Sequence, residues 1–143
     1  MKKMDRPPFL IDVLLNSRTF ERALVDSGCL CFSAFSGALV RRQKLPRIPI
    51  KERALQLAEG DQEEKKIQFI TYVDLDVDGH KERVFGYVIE KLAYPMILGD
   101  PWLHHNDAVY RAGPRTLRIG SKKHGIVVRR VGGWTPRNRR TPA

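Results

Sequence analysis

Apolar and polar residues alternate along this chain in short runs, broken every few positions by turn-forming residues. Residues 9–15 and 19–25 are apolar, β-prone runs joined at Asn16-Ser17-Arg18, which predicts a hairpin. From Ile67 to Asp78 the alternation is longer and puts Ile67, Phe69, Val73, Leu75 and Val77 on one face. Asp78-Gly79 then predicts a tight hairpin turn, with Arg83 to Ile89 as the return strand. Leu55-Gln56-Leu57 reads as a short strand leading into a polar, glycine-containing turn from Ala58 to Glu64. Thr116 to Ile119 and Ile126 to Val131 read as two last strands.

Between these runs the pattern changes. Cys29-Leu30-Cys31-Phe32 reads as a further strand, and Ser33 to Lys44 as a short helix with Ser33 as its N-cap. Leu45 to Ile50 must be extended, because each proline forces its predecessor out of the helical region. Tyr94 to Gly99 is an apolar strand ending in glycine. Asp100-Pro101 then predicts a helix start, with an acidic N-cap and proline at the first helical position. That helix turns Trp102 and Leu103 inward and stops near Asn106. Many short strands with one or two short helices predict a mainly β domain, a small closed β-barrel. No internal repeat supplies a second lobe.

Length and composition narrow the class. The chain has 143 residues, of which 42% are apolar, enough for one domain with a real core. The expected division is a flexible segment over 1–8, a folded domain over 9–131 and a basic disordered tail over 132–143. No apolar run approaches the roughly 20 residues that cross a bilayer, so no membrane partner is expected. The basic start lacks the pattern of a secretory leader, and the expected location is intracellular, in cytoplasm or nucleus. Net charge is +10. Acidic residues stop at Asp107, while Arg129, Arg130, Arg137, Arg139 and Arg140 crowd the end. A solvated tail is the plainer reading of that charge, and weak nucleic-acid contact through phosphates the sharper one.

Candidate chemistry centres on Asp26-Ser27-Gly28, behind the apolar run Ala23-Leu24-Val25. Alone, three such residues usually make a turn, because Asp and Ser bond their own backbone. At the end of a buried strand they also form half of an aspartic-protease site, which needs two carboxylates sharing one proton. The motif occurs once, so catalysis requires a second copy of the chain. Cys29 and Cys31 are read as free, partly buried thiols, since residues this close rarely reach disulfide geometry. Asp74 to Gly79 opens like a calcium loop, but Phe85 stands where the bidentate Glu belongs, and the flanks read as strands. No metal and no cofactor are expected. His80, His104, His105 and His124 have no nucleophile at a recognisable spacing, and Ser27 lacks a nucleophile elbow.

Ala23-Leu24-Val25-Asp26-Ser27-Gly28, followed later by Ile97-Leu98-Gly99-Asp100-Pro101-Trp102-Leu103, resembles the retropepsin-like aspartic proteases of long-terminal-repeat retrotransposons, above all the fungal Ty3/gypsy type. Leu55 to Gly60 is similar to their approach to the flap. Asn106 to Tyr110 and Thr116 to Gly120 are similar to the strands after their helix. The likeness spans roughly residues 9 to 131. It implies a retropepsin-type barrel and a homodimer hydrolysing a polypeptide, with a retrotransposon polyprotein as origin and substrate. Asp26 would be the catalytic carboxylate, Ser27 would hold the partner loop, and Gly28 would allow close approach. The carboxylate pair would titrate as a unit, one member taking a proton from water and the other polarising the scissile carbonyl. Ala58, Glu59 and Gly60 would contact substrate from a closing flap. Two departures stand out: Cys29 replaces the usual alanine, and the flap carries Glu59, Asp61, Glu63 and Glu64. They motivate an alternative, a catalytically silent module of the same fold for dimerisation or peptide binding. Nucleic-acid binding through the basic tail is a weaker alternative.

Overall fold

The computed structural model describes residues 7–57, 65–120 and 125–131. Its elements run β1 (Leu10–Leu15), β2 (Thr19–Asp26), β3 (Ser33–Ser36), α1 (Gly37–Arg42), β4 (Ile48–Leu55), β5 (Lys65–Val77) and β6 (His80–Ile89). They continue as β7 (Met96–Gly99), α2 (Asp100–His105), β8 (Val109–Arg111), β9 (Thr116–Ile119) and β10 (Ile126–Arg129). The proposed flap residues Ala58, Glu59 and Gly60 lie outside the described residues, as do His124, segment 1–6 and the tail 132–143.

The main sheet runs β1-β2-β7-β3-β6-β5-β4. It closes where β1 also pairs β5, Leu14 opposite Asp76 and Leu15 opposite Leu75. Six strands therefore form a closed barrel, the mainly β architecture expected, with β4 added on the outside of β5. A second sheet, β10-β9-β8, sends Leu117, Ile119 and Val128 into the barrel core.

Two tight turns set the hairpins. Asn16 and Ser17 both take positive φ, the I′ geometry that matches strand twist. Asn16 also ties this turn to the neighbouring strand: its N–H donates to the Asp74 carbonyl (2.9 Å) and its Oδ1 accepts from the Asp74 N–H (2.8 Å). Asp78 (φ 48°) and Gly79 (φ 97°) make the second turn. The Asp74 to Gly79 stretch is thus a hairpin end, and Asp76 Oδ1 accepts from the Gly79 N–H at 2.8 Å.

Two local expectations are corrected. Residues 29–32 form no continuous strand, with Cys29 in an isolated bridge and Cys31 and Phe32 in a bend, and the strand lies at Ser33–Ser36. The helix therefore starts at Gly37, with Ser36 as its N-cap accepting from the Leu39 N–H at 3.0 Å. The reason is tertiary: Ala34 and Phe35 fill a slot between β6 and β7, and Ser33 Oγ donates to the Phe85 carbonyl. The strand expected at Leu55 to Leu57 ends at Leu55 and starts earlier, at Ile48.

Two buried acidic side chains are paired across elements. Asp12 faces Arg22 across β1–β2, Oδ1 to Nε 2.6 Å. Glu21, fully buried, accepts from Arg42 (2.8 Å) and Gln43 (3.1 Å), which ties the end of α1 to β2. No helix among the described residues is long and apolar enough to cross a membrane.

Candidate active site

The site begins with two strands that pack against apolar residues on both faces. In β2, Ala23 and Val25 point into the barrel core, while Leu24 packs outward against a second apolar cluster. In β7, Met96 and Leu98 point in and Ile97 points out. That two-sided burial is why both runs are continuously apolar instead of alternating. The strands pair in parallel, Ala23 with Met96, Leu24 with Ile97, Val25 with Leu98 and Asp26 with Gly99. The two sequence motifs are thereby set side by side.

At the end of β2 the chain turns sharply. Asp26 Oδ1 accepts from the Gly28 N–H at 2.9 Å, and the Asp26 carbonyl from the Cys29 N–H at 3.0 Å. The carboxylate is therefore oriented by its own loop, with its other oxygen free of that bond. A Cβ on Gly28 would sit 3.3 Å from Asp26 Oδ1, so glycine leaves the carboxylate room. Asp26 is partly exposed, while Ser27 and Gly28 are exposed. Ser27 also lines a cavity of about 250 Å³ with Phe9, Val25, Leu103, Tyr110 and Arg115.

The following residues are stitched over the β7–α2 junction. Gly99 N–H donates to the Phe32 carbonyl (3.0 Å) and Asp100 N–H to the Cys29 carbonyl (2.9 Å). A Cβ on Gly99 would lie 1.9 Å from the Cys31 carbonyl oxygen, so only glycine admits this crossing. Helix α2 then starts one residue earlier than an Asp100 cap would have it. Gly99 is the N-cap with no side-chain capping bond, and Asp100 and Pro101 occupy the first turn. Trp102 is fully buried and donates its indole N–H to Glu82, which also accepts from Asn106 Nδ2 at 3.3 Å.

Cys29 and Cys31 share one face of their segment, with Leu30 turned to solvent at 54% exposure. Both thiols are free and buried, and their sulfurs are 3.2 Å apart. The hydrogen bond from Cys31 lowers the Cys29 thiol to about 7, and the same contact pushes Cys31 up.

Asp26, Ser27 and Gly28 thus stand together at the mouth of one loop. The arms β4 and β5 pair antiparallel, with Leu55 opposite Lys65. One contributor carried no motif. Leu57 carbonyl accepts from the Leu30 N–H at 2.8 Å, and Leu57 packs into the apolar cluster around the two cysteines.

A closed six-stranded barrel with an Asp-Ser-Gly loop beside a glycine-to-helix junction defines a retropepsin-like domain. The chain belongs to the PEG10/RTL1 protease domain family, whose model matches residues 22–123. Among solved structures, the retroviral protease-like domain of Ddi1 from Leishmania major is similar over 89% of this chain and 96% of that one, with a TM-score of 0.64 and 19% identity. EIAV protease, solved with the inhibitor HBY-793, is similar over 75% of this chain and 93% of that one, with a TM-score of 0.54 and 21% identity. At these identities the likeness is one of fold. No curated protein sequence matches the chain.

Proposed function

We propose that this chain is an aspartic endopeptidase of retropepsin type, active as a homodimer to which each chain supplies one Asp26. The observation that carries the reading is the Asp26 carboxylate itself. It stands partly exposed at the end of a strand that packs against apolar residues on both faces, oriented by the Gly28 N–H and backed by the Gly99–Asp100 crossing. Membership of a protease-domain family supports it.

In the dimer, two such loops face each other and the carboxylates share a proton, since two close like charges do not both ionise. The ionised member takes a proton from a water held between them, and the protonated one polarises the scissile carbonyl. Ser27 holds the partner loop, and Ala58, Glu59 and Gly60 contact the peptide. The substrate class is polypeptide, and a polyprotein of a Ty3/gypsy-type retrotransposon is the proposed origin.

The test is cleavage of a peptide library at acidic pH by protein whose oligomeric state has been measured by sedimentation. Cleavage is expected from the dimer and is abolished by Asp26→Asn and by an active-site aspartic-protease inhibitor. A verified dimer that cleaves nothing overturns the proposal in favour of a silent peptide-binding module.

A further inference from the structure

The thiol pair beneath the Asp26 loop has no part in the hydrolysis just described. Both cysteines are in the same outer apolar cluster, with Ile67, Ile89 and Ile97, and each sulfur has the other as its near neighbour at 3.2 Å. A disulfide needs about 2.05 Å, so the gap to close is about one ångström. The backbone holds the two residues in this arrangement from several sides. Cys29 N–H donates to the Asp26 carbonyl, Cys29 carbonyl accepts from the Asp100 N–H, and the Leu30 N–H between them donates to the Leu57 carbonyl. A cavity of about 270 Å³ adjoins the pair on the Cys31 side, lined by Cys31 with Phe32, Ser33, Ile70, Phe85 and Tyr87, and the Cys29 sulfur lies 3.2 Å behind that of Cys31. A peroxide molecule, not much larger than a water at about 30 Å³, fits such a space.

We infer that Cys29 and Cys31 form a redox-active dithiol, which hydrogen peroxide oxidises to an intramolecular disulfide. The Cys29 thiolate attacks one peroxide oxygen, the O–O bond breaks, and the sulfur becomes a sulfenic acid. The departing hydroxide takes up the proton released by Cys29 and leaves as water. Cys31 sulfur then displaces the sulfenic hydroxyl, an S–S bond forms, and a second water leaves with the Cys31 proton. Two electrons pass from the dithiol to the peroxide.

The electrostatics suit this order of events. Attack is fastest for a thiol whose pKa lies near ambient pH, and Cys29 is lowered to about 7 by the Cys31 hydrogen bond. The neighbouring charge is Asp26, which acts against ionisation of both thiols but more weakly than their mutual contact. The inference stands whether or not Asp26 hydrolyses peptides.

Hydrogen peroxide titration of the folded full chain, read by peptide mass mapping, tests it. The expected product is a single peptide carrying both cysteines, lighter by two hydrogens, and returned to two thiols by dithiothreitol. Because the fold holds the sulfurs together, the reaction is expected to run at least about tenfold faster in the folded chain than in the same chain unfolded in urea. In Cys31→Ser, Cys29 is expected to gain oxygen and never to lose hydrogen. Independent oxygen addition at each cysteine of the wild type overturns the inference, as do intermolecular disulfides at low protein concentration. So does an equal rate in folded and unfolded chains, a comparison that needs no variant to fold.

Discussion

Asp26 stands directly across from Gly99 in the parallel β2–β7 ladder, and the next residues after each cross at backbone contact. The Cys31 carbonyl occupies the space that a side chain on Gly99 would need. Gly99 is therefore a packing requirement of the Asp26 loop as well as the cap of α2.

Gly99→Ala is expected to destabilise the fold by about 1–3 kcal/mol, the range for forcing an extra carbon into a packed site. The obstruction is backbone, which cannot rotate aside. Urea unfolding measures the loss. An unchanged midpoint would show that the loop moves away freely.

Asp12 and Arg22 make a buried cross-strand ion pair, with side chains 7% and 3% exposed. Asp12→Ala leaves a buried guanidinium short of its partner and is expected to cost about 3–5 kcal/mol. Replacing both residues by apolar ones of similar volume is expected to recover most of that loss. A double-mutant cycle in urea separates the pair from its surroundings.

Thr71 in β5 is fully buried, and its hydroxyl has no hydrogen-bond partner among the described residues. Thr71→Val keeps the branched shape and removes the unpaired group. It is expected to raise stability by about 1 kcal/mol, the lower end of the cost of a buried unsatisfied polar group. Thermal unfolding reads the effect, and a lower Tm would mean that the hydroxyl is bonded.

The thiol pair makes stability depend on pH. Cys29 in the folded chain ionises near 7, against 9.0 when unperturbed. Between those values the unfolded state binds the extra proton, so stability rises with pH across this window. Cys31 is raised, so above 9.0 the folded state keeps a proton that the unfolded state has lost, and stability falls again. Ultraviolet thiolate absorbance is expected to show a first midpoint about 7. Cys31→Ala is expected to move it upward, because the hydrogen bond that favours the Cys29 thiolate is gone. A midpoint unmoved by that change would contradict the assignment.

Legibility in the sequence followed the range of the forces involved. The β5–β6 hairpin was readable because Asp78-Gly79 suits a turn needing two positive φ angles, and that preference is local. The start of α2 was readable within one residue from Asp100-Pro101, and Trp102 is buried as expected. Asp26 was readable because its strand is apolar on both faces, which the run Ala23-Leu24-Val25 records directly. Helix α1 was misplaced at its start because Ser33 and Ser36 are equally good caps by composition. Only the slot between β6 and β7 makes a strand of the first and a cap of the second.

By itself, then, the sequence determined the β1–β2 and β5–β6 hairpins, the start of α2 to within one residue, the single Asp-Ser-Gly loop and the excess of positive charge, all set by neighbouring residues. Tertiary structure decided which strands meet. It closed the ring through β1 and β5, laid β2 parallel to β7 so that Asp26 faces Gly99, and brought the Cys29 and Cys31 sulfurs to 3.2 Å. Those outcomes depend on contacts between segments far apart in the chain, where burial of both faces of a strand outweighs any local preference.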